Sequence, residues 1–364
     1  MAEKHYEPTL QELEAHLLQS INMSINSDPS DTSYNLSFGV KAKPDGLFFV
    51  FYSPSSMVMS KELYDRLTTI IATNAYPYMT VFPQPAPLLV SWDVNNIHKA
   101  RAWKFPWRRG ISSRLEINNL SQFLSNNARN GRVWLMPNYS IDINRVTSIA
   151  VMGQSGSGKT KSLEYLAYNF IQMGEILIID PKASKDLVWF GRKYSQKVIY
   201  PTSETSRSDY LATVNDELSK VRVKMLRRQH QYLASEGEKN SAPKHLFVII
   251  DELGSLTLGA SRSVVNAFFS LLQTISLMGR ETNIHLVLCS QTLSNQVLPT
   301  QVRDQTNVRI LLGTVNSRSA QYLFPDIDTS AIVVPTGVGT GVVQTINGRE
   351  ATVTPLLMPT FKEV

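Results

Sequence analysis

The stretch Gly153-Gln154-Ser155-Gly156-Ser157-Gly158-Lys159-Thr160 constrains this chain more than any other, because it satisfies G-x-x-x-x-G-K-[ST] at every fixed position. Residues 148–152 before it read as a short buried strand, and residues 162–170 after it as the start of a helix. Strand, loop and helix in that order are the context the motif needs. The glycines let the backbone curl so that successive N–H groups converge on phosphate oxygens, and the helix N-terminus adds partial positive charge. On this pattern Gly153, Gln154, Ser155, Gly156, Ser157, Gly158, Lys159, Thr160 and Lys161 hold ATP. Lys159 reaches the β- and γ-phosphates, and the Thr160 hydroxyl holds a magnesium ion. The bland alternative, a Gly/Ser-rich turn with an accidental lysine, leaves the flanks unexplained.

A second element points the same way. His245-Leu-Phe-Val-Ile-Ile250 is a continuous apolar run that ends in Asp251-Glu252. Such a run fits a central strand of a parallel sheet covered on both faces. A carboxylate at the C-terminal end of that strand lies where ligands bind in open α/β sheets. Asp251 is then the magnesium carboxylate and Glu252 the base that polarises an attacking water. Two solvated acids capping a strand is the competing reading, and it weakens behind a phosphate loop.

With 364 residues the chain builds one large domain or two ordinary ones. No apolar run approaches the roughly 20 residues needed to cross a bilayer, so direct membrane insertion is not expected. Glu3, Glu7, Glu12 and Glu14 are unlike a secretion signal. The single Cys289 rules out an internal disulfide and fits a reducing, cytoplasmic compartment. It lies in an apolar run and reads as a small buried hydrophobe. The 36 basic and 30 acidic residues leave a charge of +6, compatible with a polyanionic partner without requiring one.

Residues 1–32 read as an amphipathic helix (Leu10, Leu13, Leu17 and Ile21 at helical spacing) and a polar break at 26–32. Residues 33–103 read as a small α+β domain. Strands at 36–43 and 47–53 flank a Pro44-Asp45-Gly46 turn, a helix covers 60–74, and strands cover 78–82 and 88–92. Residues 104–112, with Lys104-Phe-Pro-Trp-Arg-Arg-Gly110, read as a linker whose arginines and tryptophans are packed or touch nucleic acid. Residues 113–364 alternate strand and helix, with strands at 147–152, 175–180, 197–200, 246–251, 285–290 and 308–312. A central, mostly parallel sheet follows from that pattern. Asn347-Gly348 marks a closing hairpin.

Several further segments resemble, in consistent order over residues 113–359, the FtsK/SpoIIIE family of hexameric DNA translocases. Asp180-Pro181-Lys182 is similar to that family's Asp-Pro-Lys. Gly279-Arg280 through Ile284-His285-Leu286 to Ser290-Gln291 is similar to its arginine–Ile-His-Leu–strand–Thr-Gln segment. Arg309-Ile310, Ser317-Arg318 and Gly337-Val-Gly-Thr-Gly341 match its later positions. The resemblance implies a RecA-like P-loop NTPase motor in which Gln291 is the sensor at the end of a strand. It implies that Arg280 is a finger reaching a neighbouring subunit's nucleotide; a cap at a helix C-terminus is the alternative. Arg309 is a second phosphate contact or a structural ion pair, and Lys182 a solvated residue or a phosphate or DNA contact.

The chain departs from the family in reading Cys289-Ser-Gln-Thr-Leu293 where members have Ala-Thr-Gln-Arg-Pro, and in lacking membrane spans. Compact, membrane-free versions resemble conjugative coupling proteins of the TcpA type. The resemblance therefore implies an ATP-driven DNA pump, single- or double-stranded, working as a homo-hexamer in mobile-element transfer. A relaxase and a membrane-spanning transfer protein are its implied partners. Two alternatives stand beside it: a RecA-like secretion ATPase acting on protein, and an ATP-gated adaptor that recruits a relaxase or replication protein. DNA contacts fall on two segments. Lys220, Lys224, Arg227 and Arg228 cluster on one face of a helix that is either solvated or follows a phosphate backbone. Ser255, Thr257 and Ser261 lie in a loop after the acidic pair.

Overall fold

The computed structural model describes residues 6–25, 37–52, 59–127, 131–234, 243–346 and 352–362. The polar break at 26–32 and the Asn347-Gly348 turn lie outside the described residues. The chain divides into two compact units. One gathers residues 1–112, 315–334 and 351–355, the other 113–314, 335–350 and 356–364.

In the first unit the spacing of Leu13, Leu17 and Ile21 gives α1 (Leu10–Ile25), which buries all three. Strands β1 (Phe38–Lys43) and β2 (Gly46–Phe51) pair antiparallel across the Pro44-Asp45 turn. The Ser60 hydroxyl accepts from the Leu63 N–H and so caps α2 (Lys61–Ala75). Strands β3 (Met79–Val81), β4 (Leu88–Ser91) and β5 (Arg101–Arg109) complete a five-stranded sheet. Both helices pack on one face of it, Leu17, Tyr64, Leu67 and Ile71 sharing a core with Phe49, Trp103 and Phe105.

Residues 104–109, read from the sequence as linker, are instead part of β5, the strand that pairs with β2, β3 and β4. Trp103, Phe105 and Trp107 alternate into the core. Pro106 disguises this strand, since proline has no N–H for a ladder. Its carbonyl is used instead, accepting from the Phe82 N–H.

The second unit opens with β6 (Glu116–Ile117), α3 (Leu120–Asn127) and the hairpin β7 (Arg132–Met136) and β8 (Tyr139–Asp142). Its centre is an eight-stranded sheet. The contributing strands are β9 (Ser148–Gly153), β10 (Gly174–Ile179), β11 (Lys197–Ile199), β12 (His245–Ile250), β13 (Ile284–Ser290), β14 (Val308–Leu312), β15 (Thr340–Thr345) and β16 (Val353–Leu357). Their order is β11-β10-β12-β13-β9-β14-β15-β16. Pairing is parallel from β11 to β14, and β15 runs antiparallel to β14. Every residue of β9, β13 and β14 is buried, as expected for strands covered on both faces. Helices α4 (Lys159–Ile171), α5 (Lys185–Lys193), α6 (Arg207–Ala234), α7 (Leu253–Thr257), α8 (Arg262–Met278) and α9 (Thr300–Asp304) connect the strands. A short α10 (Ser317–Ala320) follows β14, and β17 (Thr360–Phe361) pairs with β6.

Register decides what meets at the ligand edge. Ile250 sits beside Leu288, and Ser290 beside Met152. The residues just past β9, β12 and β13 therefore emerge together. No helix among the described residues is long and apolar enough to cross a membrane.

Candidate active site

The phosphate loop joins β9 to α4. Gly156 and Gly158 sit at φ of +80° and +93°, a region that favours glycine. Gly158 is held twice over: a Cβ there would stand 2.8 Å from the Gly339 nitrogen. The Gly339 N–H donates to the Ser157 carbonyl at 2.9 Å. The glycine-rich turn at 337–341 thus backs the loop directly. Arg114 braces that turn, its guanidinium donating to the carbonyls of Val338 (2.8 Å) and Met358 (2.7 Å). The Ser157 hydroxyl is buried without a hydrogen-bond partner.

Glu252 is the hub of the site. Its Oε2 accepts from the ammonium groups of Lys159 (3.0 Å) and Lys182 (2.8 Å). Its Oε1 accepts from the Ser290 hydroxyl (2.9 Å) and the Gln291 backbone N–H (3.0 Å). Burial opposes the charge, yet the bonds from Lys182, the Gln291 N–H and Lys159 outweigh it and hold the carboxyl down at about 2. The backbone at Glu252 is left-handed, φ 59° and ψ 63°. For a non-glycine residue that costs on the order of 1–3 kcal/mol, a cost found where surrounding bonds over-determine a working geometry.

Asp180 explains why Lys182 arrives there. Its carboxylate accepts from the backbone N–H groups of Lys182 (3.0 Å) and Ser184 (2.6 Å), closing the Asp-Pro-Lys loop. Lys182, left open by the sequence between a solvated loop and a ligand contact, therefore lies in the site. Neither Asp180 nor Ser290 was singled out from sequence for this role.

Asp251 is buried beside them, and its Oδ1 has no hydrogen-bond partner. Burial raises its pKa; the nearby Lys159 opposes the rise and Asp180 adds to it. A buried carboxylate oxygen with no partner suits an oxygen-binding divalent cation such as magnesium, and Thr160, exposed at the start of α4, follows directly on Lys159.

The remaining expected residues fall in three places. Gln291 is exposed at the end of β13, one residue past Ser290, where it adjoins Glu252. Lys161 turns its ammonium to Glu164 (2.7 Å) on its own helix. Arg280 is exposed just before β13 begins. The phosphate loop lies past the other end of that strand, roughly 20 Å away at about 3.3 Å per residue. Arg280 therefore does not reach the phosphate loop of its own chain.

Arg309 is buried in β14 and donates to the carbonyls of Thr306 (3.1 Å) and Arg303 (3.3 Å), anchoring the chain before its strand. The cations of α6 are largely engaged within the unit. Lys220 pairs with Glu217 at 2.6 Å, Lys224 pairs with Glu175 at 2.7 Å, and Arg228 donates to the Thr282 and Lys244 carbonyls. After the acidic pair, the Ser255 hydroxyl bonds the Glu252 carbonyl (2.9 Å) and the Ser261 N–H donates to Ser208 (3.0 Å).

Known proteins resemble this chain. A family model for an AAA domain matches residues 143–298. The Ftsk domain-containing protein YdcQ of Bacillus subtilis (strain 168) is 23% identical over 208 residues, covering 56% of this chain and 42% of that protein. The DNA translocase FtsK of Staphylococcus aureus (strain Mu50) is 25% identical over 205 residues, covering 48% of this chain and 25% of that protein. The chain thus spans less than half the length of these relatives. Among solved structures, the pCW3 conjugation coupling protein TcpA, in a monomer form with ATPγS, covers 95% of both chains with a TM-score of 0.57 at 16% identity. That likeness is one of fold. Through these relatives, and through the RecA-like fold that carries the phosphate loop, the chain is similar to P-loop ATPases of the FtsK/SpoIIIE type.

Proposed function

We propose that this chain hydrolyses ATP with magnesium, assembles as a ring of six copies, as its resemblance implies, and drives DNA through the ring. One juxtaposition carries the reading: an ionised Glu252 held within 3.0 Å of the phosphate-loop Lys159, beside a buried Asp251 oxygen that has no partner. Similarity to a protein named DNA translocase supports DNA as the substrate that is moved.

The chemistry follows from these residues. Loop N–H groups and Lys159 hold the triphosphate and neutralise its β and γ oxygens. Thr160 and Asp251 would hold magnesium, which would supply further neutralisation of phosphate charge. Phosphate oxygens compete with Glu252 for the Lys159 ammonium. Each bond Lys159 gives to phosphate is one that Glu252 loses, so Glu252 becomes a better acceptor for a proton of water as the substrate seats. Gln291 orients that water or reports the γ-phosphate. Arg280, far from its own chain's phosphate loop, serves the site of the neighbouring copy and completes charge neutralisation there. Hydrolysis is thereby tied to assembly.

We extend the proposal, on the resemblance to compact mobile-element motors, to conjugative or similar DNA transfer with a relaxase and a membrane-spanning protein as partners. Steady-state hydrolysis measured with and without DNA tests the reading. Turnover should rise with DNA and fall by about a hundredfold or more in Glu252→Gln. Turnover that responds to a protein partner and ignores DNA would transfer the site to a secretion ATPase.

A further inference from the structure

The sheet of the first unit has a second face that no described helix covers. Residues of β2 and β5 that oppose the helical core carry a small aromatic cluster of Phe48, Val50 and Ala102, with Tyr52, Val90 and Trp92 against it. Cations roof this cluster. The Lys43 ammonium lies 4.4 Å from the Trp92 ring centroid and 4.9 Å from that of Phe48. Lys99 stands 4.8 Å over Tyr52, and Lys104 5.6 Å over Phe48. Lys104 also pairs with Asp45. Among the described residues no carboxylate lies within ion-pair distance of Lys43 or Lys99.

That difference matters physically. A carboxylate neutralises an ammonium, whereas a ring face holds it in place and leaves its full charge available. Beside these cations the β4–β5 connection exposes Val94 (71%) and Ile97 (73%), and Trp92 remains partly exposed. Fixed positive charges alternating with apolar and aromatic surface match a ligand that offers phosphates and unstacked bases together. A duplex offers the phosphates and hides the bases.

We infer that this face of the first unit is a docking surface for single-stranded DNA, with Lys43 and Lys99 contacting phosphates and Trp92, Val94 and Ile97 beside the bases. The inference rests on the reading of the chain as a DNA motor and adds a strand-holding site outside the ATPase unit. The competing explanation is that the lysines only shield rings from water, which their methylene stems do equally well without charge.

The test uses the full chain carrying both Lys43→Met and Lys99→Met, which keep the stems and remove the charges, and a second variant with both lysines changed to Arg. Binding of a labelled oligothymidylate is followed by fluorescence anisotropy across a salt series. The Met variant should bind about tenfold or more weakly, and its log–log salt slope should shrink by about 1.4, two contacts at about 0.7 each. The Arg variant should bind like the wild type, and DNA-free ATP hydrolysis should be unchanged in both. Wild-type affinity and slope in the Met variant would overturn the inference. So would oligonucleotide binding that survives while binding to phosphatidylserine vesicles is lost, since the face would then serve a lipid surface. If DNA stimulates hydrolysis and the Met variant still binds normally, only this surface falls. If DNA neither binds nor stimulates the wild type, the motor reading falls with it.

Discussion

His285 should make the fold sensitive to mild acid. Its ring is 1% exposed at the start of β13 and stacks on Phe247, centroids 5.0 Å apart. One ring nitrogen, Nδ1, lies 2.8 Å from the Val146 carbonyl, so it donates, and Nε2 then accepts from Nδ1 of His245 at 2.8 Å. A second proton on His285, at Nε2, can be accepted only if His245 gives up its own proton from Nδ1. Burial, then the neighbouring His245 and Arg228, push its pKa down to about 3, against the bond to Val146. His245 is also lowered, by burial and then Arg228.

A base whose folded pKa is depressed binds fewer protons in the native state than in the unfolded one. Stability is therefore intact above the unfolded value of about 6.5 and falls as pH drops through it. Linkage gives a loss of about 2 kcal/mol for His285 alone between about pH 7 and pH 5. That figure is governed by the unfolded value, because the buried ring stays neutral throughout the interval. Glu252, held at about 2, loses its contribution only below the ordinary carboxylate range. The raised Asp251 works in the opposite sense. Comparing urea unfolding of the wild type and His285→Gln over the same interval cancels these groups. The variant starts less stable, and its stability should fall by about 2 kcal/mol less. An identical pH dependence in the two proteins would refute the reasoning.

Three further outcomes follow from the site. Glu252→Gln should retain ATP on a filter or by fluorescence while turnover falls about 10²- to 10⁴-fold, the usual span for a lost acid–base group. Arg280→Ala should bind ATP normally yet lose on the order of 10³ in rate, and mixing it with inactive Lys159→Ala should restore part of the activity, since mixed rings contain complete sites. Failure to complement, with mixing shown, would place Arg280 outside the neighbouring site. Arg114→Gln should raise KM for ATP with a smaller change in kcat, because it loosens the 337–341 turn behind Ser157 and Gly158; an unchanged KM would remove Arg114 as a positioning residue.

The parallel core was legible because its strands are apolar from end to end, and the six strands expected there lie within a residue or so of β9 to β14. The phosphate loop was legible because its glycines are needed locally. Strand β5 was not, since Pro106 reads against a ladder strand even though Trp103, Phe105 and Trp107 alternate with outward Lys104 and Arg108. The left-handed Glu252 was also hidden, as nothing local forces a glutamate into that region. Lys182 and Ser290 converge on Glu252 only through the pairing of β10, β12 and β13. The salt bridge of Lys220 to Glu217 is visible at helical spacing, whereas that of Lys224 to Glu175 needs the folded sheet. Arg114 and Gly339 meet over 224 positions of chain or more, beyond any local signal.

Strand displacement most directly tests the account. A triplex-forming oligonucleotide, annealed at one end of a duplex, is stripped when a motor moves along the DNA beneath it. With ATP and magnesium the wild-type chain should release the oligonucleotide, and Lys159→Ala should leave it bound. Vigorous ATP hydrolysis on the same DNA without release, or release that persists in Lys159→Ala, would contradict an ATP-driven DNA motor.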